Sequence, residues 1–156
     1  MKADILDIAQ GQIDMHDIAD LNLEMVKRKL QDPEEGEGWS MEFCDEAEVE
    51  YKRFLALRRR YPDRDIVPTG PIDTFWHQHI LDTERYATDC KRIFGYFLHH
   101  YPYFGMNGPE DAKNLVTAFE ETKELYRKHF GIPYIGAAKR CKPPKCRTQC
   151  KPVKCK

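Results

Sequence analysis

Apolar residues recur every three or four positions along four stretches of this chain, and no stretch shows a convincing alternation of apolar and polar residues. A repeat near 3.6 residues places apolar side chains on one face of a helix, and that face must pack against another element. The spacing therefore predicts an all-α fold, a compact bundle of four or five helices. A length of 156 residues suits one domain with its own hydrophobic core.

The bounds of the helices follow from residues that begin and end helices. The predicted helices run over 14–31, from Ser40 to about Arg60, from Pro71 to Gly95, and from Pro109 to about Gly131. Asp14 or Asp17 is the expected N-cap of the first helix, and Ser40 that of the second. In the last helix we expect Val116 to point inward with Leu115.

Four of the six histidines fall between residues 77 and 100, and this region is the candidate functional site. Imidazole is a common ligand of zinc and other transition metals, and clustered histidines with a carboxylate can form an open site. The candidate metal ligands in this region are Asp73, His77, His79, Cys90 and His100. No organic cofactor is indicated.

Helix geometry leaves two arrangements for such a site. Residues two apart diverge by about 200° on a helix, so His77 and His79 cannot both face one ion unless the helix is distorted. Asp73 and His77 are four apart and share a face. The first arrangement therefore uses this pair, completed by His99 or His100 from the following turn.

The second arrangement buries His79 near Cys90, with His100 approaching from outside the helix. Both have structural alternatives without metal. His79 would then be a core histidine bonded to a backbone carbonyl, and Asp73 and His77 an ordinary pair on a helix face.

Catalysis is the less favoured interpretation. A metal with three protein ligands could activate water, with Glu84 or Asp82 as the base. Cys90 and His79 could form a nucleophile–base pair, but the apolar surroundings favour a buried, inert thiol. The sequence identifies no substrate, so a metal-binding accessory or interaction protein is the preferred hypothesis over a metal-dependent enzyme.

A dense motif in the same region resembles a known family. It consists of the segment 72–82, which contains Trp-His-x-His, followed by Tyr86, Cys90, Gly95 and His100-Tyr101-Pro102. These residues resemble the signature of the glycine-rich domain-containing protein-like family. The resemblance implies a helical domain without established catalytic activity, and for plant relatives it implies links to stress responses and RNA. The shared site that it implies comprises Asp73, Trp76, His77, His79, Tyr86, Cys90 and His100.

The C-terminus departs from that family, because it is basic and rich in cysteine instead of glycine. Residues 139–156 contain eight Lys or Arg and no acid, which leaves 17 basic against 26 acidic residues in 1–138. We therefore divide the chain into a helical domain, 1–138, and a tail, 139–156. The tail repeats one hexapeptide pattern, Cys-Lys-Pro-x-Lys-Cys, with its cysteines at Cys141, Cys146, Cys150 and Cys155.

Several roles for the tail stay open. Four thiolates could hold zinc or a softer ion, and the neighbouring lysines favour the thiolate. Alternatively, the tail is disordered, binds nucleic acid or another polyanion, or is the substrate of a modifying enzyme in a precursor. A protein partner is expected but not identified. The chain has no membrane-spanning run and no visible secretory signal, so the expected compartment is the cytoplasm.

Overall fold

The structure, a computed structural model, describes residues 12–135. This part contains no strand and five helices: α1 Glu24–Gln31, α2 Met41–Arg60, α3 Gly70–Leu81, α4 Thr83–Phe94 and α5 Pro109–Phe130. The predicted all-α class and helix number are confirmed. No helix in this part combines the length and apolar character needed to cross a membrane. The proposed tail, 139–156, lies outside the described residues.

The second and last predicted helices have nearly the expected bounds. Ser40 is the N-cap of α2, as predicted, and its Oγ accepts a hydrogen bond from the Phe43 N–H at 3.1 Å. Gly131 ends α5 in the left-handed conformation, with φ of 68°. The inward orientation predicted for Val116 is wrong, because this side chain is 60% exposed.

The first predicted helix is too long. Asp17 has φ of 63°, and residues 16–20 form turns, so α1 begins only at Glu24. Neither Asp14 nor Asp17 caps it. The carbonyls of Asp14 and His16 instead accept hydrogen bonds from the Arg59 guanidinium of α2. The segment before α1 is not helical, but it still buries Ile18 in the core. This burial accounts for an apolar residue at that position.

The third predicted helix is two helices, because the chain turns at Asp82 between α3 and α4. On one straight helix, residues ten apart would lie about 15 Å apart along the axis. Instead, His79 Nε2 lies 2.9 Å from Asp89 Oδ2, across the turn. The apolar spacing continues through the turn because both helices face the same core. The spacing alone therefore did not reveal the turn.

The core lies between α2 and its neighbours. Tyr51 and Phe54 on α2 pack against Phe75 and Trp76 on α3, with ring centroids 5.0 and 5.1 Å apart. Burial of such aromatic side chains supplies the main driving force for the helices to associate.

One buried ammonium connects α1 to α2. Lys27 Nζ lies 2.8 Å from a Glu24 carboxylate oxygen, 2.9 Å from Asp45 Oδ1 and 2.7 Å from Glu48 Oε2. Burial alone would raise the pKa of Glu48, but hydrogen bonds from Lys27 and Lys52 outweigh it, and the pKa is lowered. The folded state therefore binds fewer protons at this carboxyl than the unfolded chain does near its ordinary pKa of 4.5.

The lowered pKa of Glu48 predicts a loss of stability in acid. Its contribution is present above pH 4.5 and disappears as the pH falls below that value, because the unfolded chain is protonated first. Urea unfolding at pH 7 and pH 4 measures the change in unfolding free energy. We expect Glu48→Gln to be less stable than the wild type at pH 7. Its unfolding free energy should also fall less than that of the wild type between pH 7 and pH 4. An equal pH dependence in both proteins would contradict this assignment.

The chain after α1 turns so closely that one glycine has no room for a side chain. A Cβ on Gly36 would overlap the backbone carbonyl of Lys29, which cannot move without disturbing the end of α1. We expect Gly36→Ala to lower the unfolding free energy by about 3 kcal/mol, at the upper end of overpacking effects. Gly95→Ala is the control, since Gly95 has φ of 78° but open space around it. It should lose only about 1 kcal/mol in denaturant unfolding, from backbone strain alone. Equal losses would contradict the steric explanation.

Candidate functional site

Asp73, His77 and His100 converge beside the middle of α3. Asp73 and His77 lie one turn apart on one face of that helix, as their spacing predicts. His100 arrives from the segment after α4, which ends at Gly95 in the left-handed conformation. The carbonyl of the buried Leu98 in that segment accepts a hydrogen bond from the Tyr86 hydroxyl. This bond holds the segment against α4.

The three side chains form a small triangle of polar atoms, which we call the Asp–His triangle. His100 Nε2 lies 2.9 Å from Asp73 Oδ1 and 2.9 Å from His77 Nε2. The third side, from His77 Nε2 to Asp73 Oδ1, measures 3.3 Å. Asp73 and His100 are 19% and 16% exposed, whereas His77 is 53% exposed. The triangle is therefore open to solvent at His77.

Hydrogen bonds can form along two of the three sides, and the length of the third side then follows from the positions of its two end atoms. Each Nε2 carries at most one hydrogen, and an ionised carboxylate carries none. Each ring N–H points in one direction, so two hydrogens satisfy at most two of the three sides. Every distribution of protons leaves one side of the triangle without a hydrogen between its atoms.

The electrostatics of the triangle favour an ionised Asp73. Burial would raise the pKa of this carboxyl, but hydrogen bonds from His100 and His77 outweigh burial and hold the pKa well below its usual range. Asp73 is therefore a carboxylate at neutral pH. Two imidazole nitrogens and one carboxylate oxygen that converge in this way could hold a metal ion.

An indole ring fixes the orientation of His100. The ring of Trp76 lies against that of His100, with centroids 4.2 Å apart and 33° between planes. Trp76 Nε1 in turn donates a 2.9 Å hydrogen bond to the Tyr86 hydroxyl. The Tyr86 hydroxyl thus bonds both Trp76 and the backbone of Leu98, so it positions His100 from two directions. The sequence motif contained both aromatic residues, but their partners could not be read from it.

His79 does not join the triangle but lies in a separate buried network. The Tyr51 hydroxyl lies 2.7 Å from His79 Nδ1, and Asp89 Oδ2 lies 2.9 Å from Nε2. A neutral ring satisfies both contacts when Nδ1 accepts from Tyr51 and Nε2–H donates to Asp89. Burial lowers the pKa of His79 despite the opposing effect of Asp89, in agreement with a neutral ring. Nothing in the sequence identified Tyr51 or Asp89 as partners.

The second arrangement that the sequence suggested, a site of His79, Cys90 and His100, is not formed. His100 bonds Asp73 and not His79, and both nitrogens of His79 are occupied. Cys90 is a buried free thiol beside Tyr86, and burial raises its pKa. Cys90 therefore has neither the ionisation nor the base that a nucleophile needs.

The other residues considered in this region are exposed. The ring of His99 packs against that of Phe97, with centroids 4.9 Å apart, and His99 is not part of the triangle. Asp82 forms an ion pair with Arg85, and Glu84 lies on the surface at the start of α4. The tail ligands predicted at Cys141, Cys146, Cys150 and Cys155 lie outside the described residues.

A family model matches residues 22–122, from just before α1 into α5. The match covers well over half of the chain and includes every residue of the Asp–His triangle. The chain belongs to the UCP032817-like family. In this UCP032817-like chain, the basic tail lies beyond the matched residues. No curated protein and no solved structure matches the chain. Kinship with the glycine-rich domain-containing protein-like family stays a prediction.

The different settings of two neighbouring histidines predict different effects on stability. His79→Ala leaves the buried Tyr51 hydroxyl without its partner and opens a cavity, so we expect a loss of about 3 kcal/mol in unfolding free energy. His77→Ala removes a half-exposed side chain and should change it by no more than about 0.5 kcal/mol. Denaturant unfolding in the presence of a chelator measures both without a contribution from metal. Similar losses would contradict the division into a structural and a surface histidine.

Proposed function

We propose that this chain is a metal-binding accessory or interaction protein, with its site at Asp73, His77 and His100. The observation that carries the proposal is the Asp–His triangle, whose three sides measure 2.9, 2.9 and 3.3 Å. Two imidazole nitrogens and one carboxylate oxygen lie close enough together for a single cation to contact all three. His79 and Cys90 are not part of the proposed site.

The donor set favours zinc or a similar divalent transition metal. Two imidazoles and one carboxylate are typical ligands for these ions, whereas Mg²⁺ and Ca²⁺ prefer oxygen ligands throughout. A tetrahedral zinc ion with bonds of about 2.0–2.1 Å holds its ligand atoms ~3.3 Å apart. The sides of the triangle are close to this value, so small side-chain movements would adapt it to an ion.

An interaction role is supported by the apolar surface that follows α4. The loop from 95 to 108, which carries His100, exposes five large apolar or aromatic side chains: Tyr96, Phe97, Tyr101, Tyr103 and Met106. Aromatic and methionine side chains are enriched where proteins contact each other. A carboxylate positions this loop, because Asp111 accepts hydrogen bonds from the Gly105 and Asn107 N–H groups. The aromatic surface therefore has a defined shape.

Metal titration tests the proposed site directly. The protein to use is the full chain with its four tail cysteines changed to serine, so that tail thiols cannot compete. We expect one equivalent of Zn²⁺ by calorimetry and a higher melting temperature with metal, because metal binds the folded state. His77→Ala and His100→Ala should weaken binding by about a hundredfold, since each removes a ligand that contributes a few kcal/mol.

His99→Ala is the matched control, because His99 is adjacent and exposed but outside the triangle. It should bind Zn²⁺ as tightly as its parent. Equal weakening by His99→Ala and His77→Ala would indicate nonspecific surface binding. Failure of the parent protein to bind Zn²⁺, Co²⁺ or Fe²⁺ would overturn the proposal.

A further inference from the structure

The residues from 99 to 104 lie between two fixed points of the backbone, and we call them the bridging segment. On one side, the Leu98 carbonyl accepts a hydrogen bond from the buried Tyr86 hydroxyl. On the other side, Asp111 in the first turn of α5 accepts hydrogen bonds from the N–H groups of Gly105 at 2.8 Å and Asn107 at 3.1 Å. Both fixed points are formed without the members of the Asp–His triangle.

The two tyrosines of the bridging segment contribute little to holding it in place. Tyr101 and Tyr103 are 61% and 57% exposed, and their ring centroids lie 5.6 Å apart. The Tyr101 hydroxyl accepts an exposed hydrogen bond from Asn107 Nδ2 at 3.2 Å. These contacts stay within the loop, and half-buried Phe104 packs against the core at the end of the segment. A segment with few buried contacts and exposed hydrogen bonds opens at a low cost in free energy.

His100 connects the middle of the bridging segment to α3. Its Nε2 lies 2.9 Å from Asp73 Oδ1, and its ring packs against that of Trp76. Asp73 and His77 both belong to α3, so the donors of the proposed metal site are divided between a helix and a loop. An ion bound to all three donors would join the two elements directly. The segment could then open only after the bond between His100 and the metal breaks.

We propose that metal bound at the Asp–His triangle cross-links the bridging segment to α3 and thereby controls how often this segment opens. The inference rests on the proposed metal-binding function and deepens it, because it names the element that metal regulates. With metal bound, Tyr101 and Tyr103 are held in one arrangement at the surface. Without metal, the hydrogen bonds and the ring contact of His100 hold the segment alone, and it opens more often.

Thermodynamic linkage sets the size of the effect. An open segment withdraws His100 from the metal, so opening weakens metal binding as removal of the His100 side chain does. That removal is expected to weaken binding by about a hundredfold. Coupling between two equilibria is reciprocal, so saturating metal should make opening rarer by the same factor, about a hundredfold.

Limited proteolysis tests this proposal. The protein is the full chain with its four tail cysteines changed to serine, in saturating Zn²⁺ or in chelator. Chymotrypsin cleaves after aromatic residues in opened segments, and at low protease concentration its rate follows the population of the open form. We expect cleavage after Tyr103 and Phe104, identified from the masses of the products, to slow by about a hundredfold in Zn²⁺.

Three controls separate the cross-link from other effects of zinc. Cleavage after Trp39, in the loop between α1 and α2, should keep its rate in Zn²⁺. His100→Ala should be cleaved after Tyr103 faster than its parent, and Zn²⁺ should no longer slow this cleavage. His99→Ala is the matched variant and should retain the full effect of Zn²⁺, because His99 lies in the same segment but outside the triangle. A chromogenic peptide corrects for any inhibition of the protease itself.

Calorimetry on the same proteins distinguishes failure of this proposal from failure of the proposed function. Zn²⁺ binding without slower cleavage after Tyr103 and Phe104 would overturn the cross-link and leave the metal site intact. Equal slowing after Trp39 would also overturn it, because metal would then act through unfolding of the whole helical domain. A Zn²⁺ effect that persists in His100→Ala would contradict the role of His100. No binding of Zn²⁺ would overturn the proposed function as well.

Discussion

The turn at Asp82 is the constraint on which the rest of the structure depends. It places α4 against α3, and two hydrogen bonds hold the pair together across ten residues of chain: His79 with Asp89, and Trp76 with Tyr86. The Trp76–Tyr86 bond is buried and the His79–Asp89 bond is partly buried, so unpaired polar groups there would be costly. Without this turn, His100 could not return to the face of α3 that carries Asp73 and His77.

The same turn divides the histidines into two chemical classes. His79 is buried, with both nitrogens occupied, so it acts as a polar connection between α2, α3 and α4. His77 and His100 present Nε2 atoms to a common point with Asp73, on a side that solvent reaches. The two classes occur two residues apart in sequence because a helix directs such neighbours about 200° apart. In the motif Trp-His-x-His, the second histidine, His79, therefore lies in the core, and the first, His77, lies at the surface.

Local signals predicted most of the helices, and long-range contacts account for the errors. Ser40 and Gly131 act within a single helical turn, so their effects are visible in the sequence. The predicted start of α1 was wrong because Arg59, which is distant in sequence, donates hydrogen bonds to the carbonyls of Asp14 and His16. For the candidate site, spacing paired Asp73 with His77 and left His99 and His100 as alternatives. Only the path of the loop after Gly95 selects His100.

The sequence by itself determined the helical class, the shared face of Asp73 and His77, and the opposition of His77 and His79. These properties depend on helical periodicity, which acts over three or four residues. The tertiary structure decided where α3 ends, which partners satisfy His79, and which histidine completes the triangle. It also placed Tyr134 beside the start of α3, where its hydroxyl accepts a hydrogen bond from the Thr69 N–H. These features depend on contacts between residues from 10 to 65 positions apart, for which local periodicity carries no information.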